Sequence, residues 1–292
     1  MSLKLRLDAY RKQIDLYLEK LLPLEKEEPL QLHAAMRYSC LAPGKRLRPL
    51  LCLATAEALG ENPEKRVDVA CAIEMVHCFS LIHDDLPAID NDDLRRGRAT
   101  CHKVFGEAMA LLAGDGLFAL AFQVLSNAPY PPEKLVCAMQ ILTLATGSRG
   151  LVGGEVLDIL SEGQTPSLEL LESIHHRKTG VLIAASCMIG GLLCGASEQQ
   201  IKQLEGFGSS IGLAFQIADD VLNEVSTPEE LGKAVGSDRA KFKMTYPALM
   251  GIETAKKTAK ELKMNAEKFL EGMPGDCSLL LHLAQYSVER AS

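Results

Sequence analysis

Apolar residues recur at helical spacing along almost the whole chain, and the strict alternation typical of strands is nearly absent. In the first segment, Leu3, Leu7, Ile14 and Leu18 fall on or near one face of a helix predicted over residues 2–22. The same spacing predicts further helices over residues 30–39, 50–60, 65–85, 102–126, 179–197, 197–220 and 252–271, one after Pro132 that reaches Gly147, and a last one after Gly275. The pattern therefore predicts an all-α fold.

The breaks in this series are short. Gly114, Asp115 and Gly116 interrupt the segment 102–126, and Ser197 with Gln200 forms a capping box for the helix that leads to Asp219. No linker rich in Gly, Ser or Pro divides the chain, so residues 1–292 are predicted to form one domain. So many helices in one domain favour a bundle whose site is built from side chains on facing helices.

One segment, Thr179–Ser197, is uncharged over a length that can span a membrane. It is rich in Gly, Ala, Ser and Cys, and we interpret it as the buried central helix of the bundle. The first residues, MSLKLRLDAYRKQ, contain no apolar run long enough for a signal peptide. The chain is therefore expected not to span a membrane.

Charge and cysteine content narrow the class of partner. With 31 basic and 38 acidic residues among 292, the net charge is -7, which argues against nucleic acid as the main partner. Nine cysteines occur without a CxxC or metal-ligand spacing, which is typical of reduced thiols that pack as small apolar side chains. We expect a cytoplasmic location.

The most informative stretch is FSLIHDDLPAIDNDDLRRGR, residues 79–98. It contains five aspartates, which are Asp84, Asp85, Asp90, Asp92 and Asp93. Such a density of negative charge indicates a bound cation, and Mg²⁺ prefers carboxylate oxygens that it shares with substrate phosphates. Arg95, Arg96 and Arg98 follow at once, and guanidinium groups pair with phosphate oxygens. The alternative is a solvated acidic turn.

Geometry favours the metal interpretation. Asp84 and Asp90 are six residues apart, so an unbroken helix would place them roughly 120° from each other. Pro87 lies between them and kinks or ends a helix. The loop is therefore predicted to fold Asp90 back toward Asp84.

A second acidic pair, Asp219 and Asp220, also follows an apolar helical run, GLAFQIADDVLNE. Two helices that end in paired aspartates can face each other across a cavity and hold two or three metal ions. The alternative is a solvated helix end. Several basic residues fall at chain breaks, namely Lys45, Arg48, Arg95, Arg96, Lys178, Lys233 and Lys243. Each alone is typical of solvated surface charge, whereas together they predict a place for two phosphorylated substrates.

These motifs resemble a known family. PGKRLRPLL, SLIHDDLPAIDNDDLRRG, GGEVLDI, RKTG, FQIADD and LGKAVGSD…KMTYPALMG are similar, in order and spacing, to the motifs of the trans-isoprenyl diphosphate synthases over residues 40–250. The closest likeness is to the bacterial farnesyl diphosphate synthase type. The resemblance implies the all-α isoprenoid synthase fold, a helical bundle around a deep central cavity, and a homodimer.

The resemblance also implies roles for individual residues. The diphosphate of isopentenyl diphosphate would be held by Lys45, Arg48, His77 and Arg96. Two or three Mg²⁺ ions would be bound by Asp84, Asp90 and Asp219, with Asp85 and Asp220 in support. The diphosphate of the allylic substrate would be contacted by Arg95, Lys178, Thr179, Gln216 and Lys233, with Lys243 nearby.

The implied chemistry needs no side-chain nucleophile. Mg²⁺ and the cationic side chains stabilise the leaving diphosphate, so the allylic C–O bond ionises to a carbocation. The alkene of isopentenyl diphosphate attacks this cation, and the departing diphosphate takes the proton that is lost. Apolar walls exclude water.

Two positions carry more specific expectations. Phe79 is five residues before Asp84 and therefore about 7.5 Å deeper along the helix. A bulky residue there floors the cavity in the family, so we expect a fifteen-carbon product, farnesyl diphosphate, although Phe79 can also be an ordinary core residue. Asn223 replaces the family's usual third aspartate, which predicts a weaker third metal site.

Several alternatives remain open at this stage. A geranylgeranyl diphosphate synthase would differ only in product length. A non-catalytic subunit of a heteromeric synthase would usually lack the first aspartate motif, which is intact here. A terpene cyclase would lack basic residues for a second diphosphate, such as Lys45 and Arg48, and nothing indicates the activated water of a phosphohydrolase.

Overall fold

Helices form nearly all the regular structure of the chain. The computed structural model describes residues 2–165, 167–225 and 244–289. The helices in these ranges are α1 (Leu3–Leu21), α2 (Leu30–Cys40), α3 (Leu47–Ala58), α4 (Val67–Asp84), α5 (Cys101–Phe105), α6 (Glu107–Ser126), α7 (Pro132–Thr146), α8 (Leu151–Ser161), α9 (Leu168–His175), α10 (Val181–Cys194), α11 (Glu198–Val225), α12 (Tyr246–Met250), α13 (Ile252–Phe269) and α14 (Ser278–Glu289). The predicted all-α fold is confirmed.

Three short elements complete the described part. A 3₁₀ turn, Pro63–Arg66, precedes α4, and a π-helical turn, His176–Gly180, joins α9 to α10. Two strands of two residues each, β1 (Leu94–Arg95) and β2 (Arg98–Ala99), form an antiparallel hairpin after α4. The hairpin and the π-helical turn both carry residues of the candidate site.

The capping box predicted at the start of α11 is present. The backbone N–H of Ser197 donates to Oε1 of Gln200 at 2.8 Å, and the N–H of Gln200 donates to Oγ of Ser197 at 3.2 Å. Each side chain thus satisfies a backbone donor that has no partner within the helix. The box fixes where the long helix that carries the second acidic pair begins.

The predicted interruption at Gly114–Gly116 is wrong, because α6 continues through both glycines. A methyl group on Gly114 would lie 2.2 Å from Nε2 of His83, so the missing side chain lets α6 lie close against α4. The break falls earlier, at Gly106, whose φ of 85° separates α5 from α6. Here glycine serves helix packing rather than helix termination.

The apolar segment interpreted as a central helix lies inside the bundle. Most side chains of α10 are buried, and the helix packs against α3, α7 and α11. Glycines permit this packing, since a Cβ on Gly190 would lie 2.6 Å from the carbonyl oxygen of Cys52, and one on Gly208 would lie 2.5 Å from Cα of Ala184. The prediction of a buried helix is confirmed.

Two apolar clusters form the interior. The larger one spans α1 to α8, α10, part of α11, the end of α13 and α14. The smaller one joins α9, the end of α11, α12 and α13 through Leu171, Ile217, Val221, Tyr246 and Ala255. The second acidic pair belongs to the part of α11 that this smaller cluster supports.

Three helical stretches of the described chain are long and apolar enough to cross a membrane, judged by length and composition alone. They are Glu107–Ser126, Pro132–Ser161 and Leu168–Cys194, of which 39%, 39% and 67% of the most apolar window is buried within the structure. Of these three stretches, only the last contains most of the segment, Thr179–Ser197, whose length and lack of charge stand out in the sequence. The expectation that the chain does not span a membrane stays a prediction.

Candidate active site

The first acidic pair lies where α4 ends. The helix stops at Asp84, three residues before Pro87, and the backbone N–H of Asp90 donates to the carbonyl oxygen of Asp84 at 2.9 Å. This bond closes the loop that the spacing predicts. It brings the Asp90 carboxylate close enough to raise the pKa of Asp84. The two carboxylates therefore belong to one site.

The hairpin after this loop places an arginine on the pair. Nε of Arg95 donates to Oδ1 of Asp85 at 2.6 Å, and another nitrogen of the same guanidinium lies 3.6 Å from Oδ2 of Asp92. Arg95 begins the turn between β1 and β2, in which Arg96 adopts a left-handed backbone with φ of 54°. The turn thus presents two adjacent arginines beside the aspartates.

Both carboxyl groups of the first pair have raised pKa values. The pKa of Asp84 is raised to about 7, first by burial and then by Glu155 and Asp90, against the lowering effect of Lys178 and Arg95. Burial likewise raises the pKa of Asp85 to about 6, against the opposing effect of Arg95. A desolvated carboxylate with unbalanced negative neighbours is stabilised by a cation. These residues therefore fit a hard divalent ion such as Mg²⁺.

Lys178 lies between α8 and the first pair. Its Nζ is 2.6 Å from Oε2 of Glu155 and 2.8 Å from Oδ2 of Asp158. Burial lowers its pKa, but Asp158, Asp84 and Glu155 outweigh burial, so the pKa of Lys178 is raised. A Cβ on Gly154 would lie 2.3 Å from the backbone nitrogen of Lys178, so the glycine lets the π-helical turn lie against α8. The amine is therefore a cation held by carboxylates.

The second acidic pair lies near the end of α11. Asp219, Gln216 and Asn223 share one helix face by their spacing. Asp220 points toward the smaller apolar cluster, where its Oδ2 accepts from the backbone N–H of Tyr246 at 2.9 Å and from Nε2 of His175 at 3.1 Å. The carboxylate of Asp220 is therefore hydrogen-bonded by groups of the protein itself.

The π-helical turn connects the two acidic pairs. A Cβ on Gly212 of α11 would lie 2.7 Å from Cα of Gly180, so the turn packs directly on the helix that bears the second pair. Thr179, within the turn, is buried. Lys178 of the same turn is near enough to lower the pKa of Asp84 in the first pair. One short segment thus packs on the helix of the second pair and lies near the first pair.

A basic group lies on the other side of α4. Burial lowers the pKa of Arg48 to about 10, which Glu74 opposes and Arg96 reinforces. Burial, Arg48 and Arg96 all lower the pKa of His77. A nitrogen of Arg96 donates to the carbonyl oxygen of Pro43 at 3.2 Å. Converging cations in a desolvated place fit an anionic ligand.

Lys45 belongs to the same region and contacts the C-terminal helix. Its Nζ lies 5.5 Å from the ring centre of Tyr286 on α14, within the range of a cation–π interaction. Lys45 itself is exposed. The chain's last described helix therefore touches the basic group, which the sequence analysis did not foresee.

Phe79 on α4 packs against α6 as part of a row of aromatic rings. Its ring centre is 5.0 Å from that of His83 and 5.0 Å from that of Phe118, which in turn lies 5.0 Å from Phe122. Phe118 and Phe122 escaped the sequence analysis, although their spacing of four places both on one face of a helix. We call Phe79, Phe118 and Phe122 the aromatic wall, of which Phe79 lies about one and a half helical turns from Asp84 along α4.

The remaining predicted features are two lysines and the ligands of a metal ion. Lys233 and Lys243 lie outside the described residues. Over residues 2–165, 167–225 and 244–289, no three His, Cys, Asp or Glu side chains converge into a ready-made ion site. Mg²⁺ commonly takes only one or two protein carboxylates, with water and substrate phosphate completing its shell. The predicted ligands Asp84, Asp90 and Asp219 therefore stay a prediction.

An all-α bundle with an aspartate pair on each of two helices, and with Lys178 and Arg95 beside the first pair, is typical of an isoprenoid synthase. The model of the family described as polyprenyl synthetase matches residues 29–272. The chain belongs to the polyprenyl synthetase family and is a trans-prenyltransferase.

Known proteins agree with this assignment. The heterodimeric geranylgeranyl pyrophosphate synthase large subunit 2 of Arabidopsis thaliana is 45% identical over 262 residues, 89% of this chain and 69% of that protein. An FPP/GFPP synthase of Zymomonas mobilis has a similar structure, with a TM-score of 0.86, 36% identity and 98% of each chain covered. A geranyltransferase of Helicobacter pylori, complexed with magnesium and isoprenyl diphosphate, has a TM-score of 0.85 and 32% identity, over 99% of this chain and 97% of that one.

Proposed function

We propose that this chain condenses isopentenyl diphosphate with an allylic diphosphate, head to tail, in a reaction that requires Mg²⁺. The observation that carries the proposal is the closed loop of the first acidic pair, in which Asp84 and Asp90 lie together beside Lys178 and Arg95. Negative and positive groups that alternate in this way can hold a metal and a diphosphate at once. The magnesium and isoprenyl diphosphate bound by the Helicobacter pylori geranyltransferase support it.

Asp84, Asp90 and Asp219 would hold the ions. When bound, Mg²⁺ stabilises negative charge on the leaving diphosphate. Asp85 and Asp220 would support these ligands through the bonds to Arg95, His175 and Tyr246. The number of ions, two or three, depends on the second acidic pair.

The chain's own cations act on the two diphosphates. Arg95 and Lys178 would hold the allylic diphosphate as its C–O bond breaks, with Thr179, Gln216, Lys233 and Lys243 contributing as the resemblance implies. Arg48, His77, Arg96 and Lys45 would orient isopentenyl diphosphate so that its alkene faces the allylic carbon. Two neighbouring groups of cations would therefore supply two binding places, with the adjacent Arg95 and Arg96 between them.

The product length is proposed from the aromatic wall. Phe79 and Phe118, one from α4 and one from α6, would stop the growing chain at fifteen carbons and give farnesyl diphosphate. A second candidate is geranylgeranyl diphosphate, because several plant relatives 44–47% identical to this chain are named geranylgeranyl pyrophosphate synthases. The wall supports the shorter product, and the names of these relatives favour the longer one.

Product analysis tests both the reaction and its length. The protein is incubated with Mg²⁺, labelled isopentenyl diphosphate and dimethylallyl, geranyl or farnesyl diphosphate, and the products are separated by chain length. We expect condensation that ends at fifteen carbons, and Phe79→Ala should lengthen the product. Phe105→Ala, which removes an aromatic residue that packs edge-on against Tyr38, is the matched control and should leave the length unchanged.

The outcomes separate the candidates. Twenty-carbon product from the unaltered protein would assign the geranylgeranyl reaction and remove the role of Phe79 as a floor. Absence of condensation would favour a non-catalytic subunit, whereas a hydrocarbon or a free phosphate product would indicate a cyclase or a phosphohydrolase. Omission of Mg²⁺ should abolish the reaction.

We also propose that two copies associate. Large apolar side chains are exposed on α6, α7 and α8, which are Leu111, Leu112, Val136, Leu144, Val152 and Val156. Exposed apolar surface of this kind typically marks a protein interface. A second copy is the proposed occupant, although one relative is named as the large subunit of a heterodimer. Light scattering of the unaltered protein should give twice the mass of the chain. The Leu112→Arg variant should give the mass of a single chain.

A further inference from the structure

Asp220 is the centre of a hydrogen-bonded chain that the resemblance does not supply. Its Oδ2 accepts from Nε2 of His175 and from the backbone N–H of Tyr246. The ring of His175 stacks on that of Tyr246, with ring centres 5.7 Å apart and an angle of 14° between the planes. The hydroxyl of Tyr246 donates to Oε1 of Glu172 at 3.1 Å. Three separate elements, α9, α11 and α12, thus meet at one carboxylate.

The surroundings of this carboxylate explain why it needs partners. Exposure is 7% for Asp220, 6% for His175 and none for Tyr246. Ile217, about one turn before Asp220 on α11, and Val221, the next residue after it, belong to the smaller apolar cluster. A carboxylate buried against apolar side chains is costly unless donors satisfy it. Two donors on one oxygen use both of its lone pairs, so Oδ2 is fully committed to the protein.

The same bonds fix the direction of the neighbouring residue. Asp219 is adjacent to Asp220 on α11, and successive residues of a helix point about 100° apart. Holding Asp220 toward α9 and α12 therefore sets the rotation of this part of α11, and with it the direction of Asp219, about 100° around the helix. The donors act on Asp219 through the helix without touching it.

His175 also marks the start of the segment that carries a cation of the site. It is the last residue of α9, and the π-helical turn His176–Gly180 follows it directly. Lys178, three residues later, lies between Glu155 and Asp158 and acts on Asp84. A single bond from His175 to Asp220 therefore ties the position of this lysine to the helix that bears the second acidic pair.

We propose that His175 is a positioning residue, whose bond to Asp220 holds Asp219 and the π-helical turn in the arrangement that binds Mg²⁺ together with a diphosphate. The inference rests on the proposed function, because it assigns a purpose to the second acidic pair of that site. In this role His175 would touch neither the ion nor the substrate, because its Nε2 is bonded to Asp220. Residues that orient the ligands of a metal typically change its affinity when they are replaced.

The test measures binding rather than turnover. The full chain is titrated with Mg²⁺ in the presence of inorganic pyrophosphate, and the binding is followed by calorimetry. His175→Phe keeps an aromatic ring that can stack on Tyr246 but removes the donor. We expect it to weaken Mg²⁺ binding by roughly 10- to 100-fold. His175→Gln, which retains a side-chain N–H of similar reach, should recover most of the affinity.

A neighbouring histidine supplies the matched control. His176 is exposed and lies next to His175 in the chain. His176→Phe makes the same chemical change at an exposed position, so Mg²⁺ affinity should stay within about twofold of the unaltered protein. In the condensation assay, His175→Phe should raise the KM of the allylic substrate and leave the KM of isopentenyl diphosphate unchanged, because the basic group near Arg48 is not part of the chain of bonds.

Several outcomes would overturn the inference. Equal Mg²⁺ affinities for His175→Phe and the unaltered protein would do so, as would an equal loss in His176→Phe or in His175→Gln. Circular dichroism and thermal unfolding establish that each variant is folded. If His175→Phe does not fold, His175→Asn replaces it, since its amide is too short to reach Oδ2; equal affinities for the Asn and Gln variants would then refute the role.

The test also stands apart from the proposed reaction. If the unaltered protein binds Mg²⁺ and pyrophosphate but condenses no substrates, the proposed function fails while the comparison between variants remains valid. If condensation proceeds but the variants bind Mg²⁺ alike, the role of His175 fails alone.

Discussion

The two acidic pairs follow similar apolar helical runs, yet the protein holds their second carboxylates in different ways. Asp85 is paired with a guanidinium, since Arg95 donates to it at 2.6 Å. Asp220 is held by a backbone N–H and an imidazole in the smaller apolar cluster. In the first pair the partner is a charged side chain proposed to bind a diphosphate, and in the second the partners are groups packed in the smaller apolar cluster.

This difference indicates how each pair responds to a ligand. Arg95 and Lys178 balance the first pair and would also contact a diphosphate, so a bound metal and diphosphate change the charge balance around Asp84. The partners of Asp220 are a buried imidazole and a backbone N–H, which carry no role in substrate binding in the proposed reaction. The first pair should therefore be sensitive to charge and pH, whereas the second should be sensitive to geometry.

The largest effect is expected from loss of charge in the first pair. Asp84→Asn removes a carboxylate that the structure surrounds with Asp90, Lys178 and Arg95. A metal contributes several kcal/mol to the transition state, so we expect kcat/KM to fall by roughly 10²- to 10⁴-fold. Steady-state kinetics at saturating Mg²⁺ measures it.

The control for this variant uses an aspartate of the same loop. Asp93 is exposed and pairs with Lys103, at 2.6 Å, on the outside of the hairpin. Asp93→Asn should change kcat/KM by less than about threefold. A comparable loss in both variants would show that the loop as a whole, and not Asp84, is what matters.

The pH dependence of stability sharpens the same contrast. The pKa values of Asp84 and Asp85 are raised to about 7 and about 6 from an ordinary value of 3.8. Between about pH 4 and pH 7 the folded state therefore binds more protons than the unfolded state. The free energy of unfolding without metal should fall as pH rises through this window, and the loss is complete above pH 7.

Removal of the charge should flatten this dependence. Asp84→Asn should be more stable than the unaltered protein at pH 8 by on the order of 1–3 kcal/mol, and equal to it near pH 4. Urea unfolding at both pH values, without Mg²⁺, measures the difference. A constant difference at both pH values would contradict the assigned cause.

The sequence predicted the helical framework and the first pair because both depend on local rules. The spacing of apolar residues gave the helices, and Pro87 indicated the fold-back that the bond between Asp90 and Asp84 confirms. The capping box at Ser197 follows equally local chemistry. Where one residue constrains its near neighbours, a single sequence is sufficient.

The second pair shows what the sequence alone does not contain. His175 and Tyr246 lie 45 and 26 residues from Asp220, and only the packing of α9 and α12 on α11 brings them together. Gly114 is similar, because its lack of a side chain reads as a helix break until His83 is seen against it. Phe118 reaches Phe79 across two helices for the same reason.

A smaller effect is expected where the two motifs differ in charge. The first motif ends in Asp90, and the second has Asn223 at the corresponding place, buried on the face it shares with Asp219. Asn223→Asp adds a ligand charge, so Mg²⁺ should bind in the presence of pyrophosphate roughly three- to tenfold more tightly. Identical titration midpoints would refute the hypothesis of a weaker third metal site.

The smallest effect is expected at the outer end of the bonds that hold the second pair. Tyr246→Phe removes the hydroxyl that donates to Glu172 but keeps the ring beside His175 and the backbone N–H that donates to Asp220. The free energy of unfolding should fall by about 1 kcal/mol. Tyr130→Phe, which loses a bond from its hydroxyl to the carbonyl oxygen of Lys65, is the control for the loss of a tyrosine hydroxyl.

Because both donors to Asp220 remain in Tyr246→Phe, Mg²⁺ affinity should change by less than about threefold, far less than in His175→Phe. A loss as large as that of His175→Phe would mean that Glu172, acting through the Tyr246 hydroxyl, positions the second pair as strongly as the direct donors do.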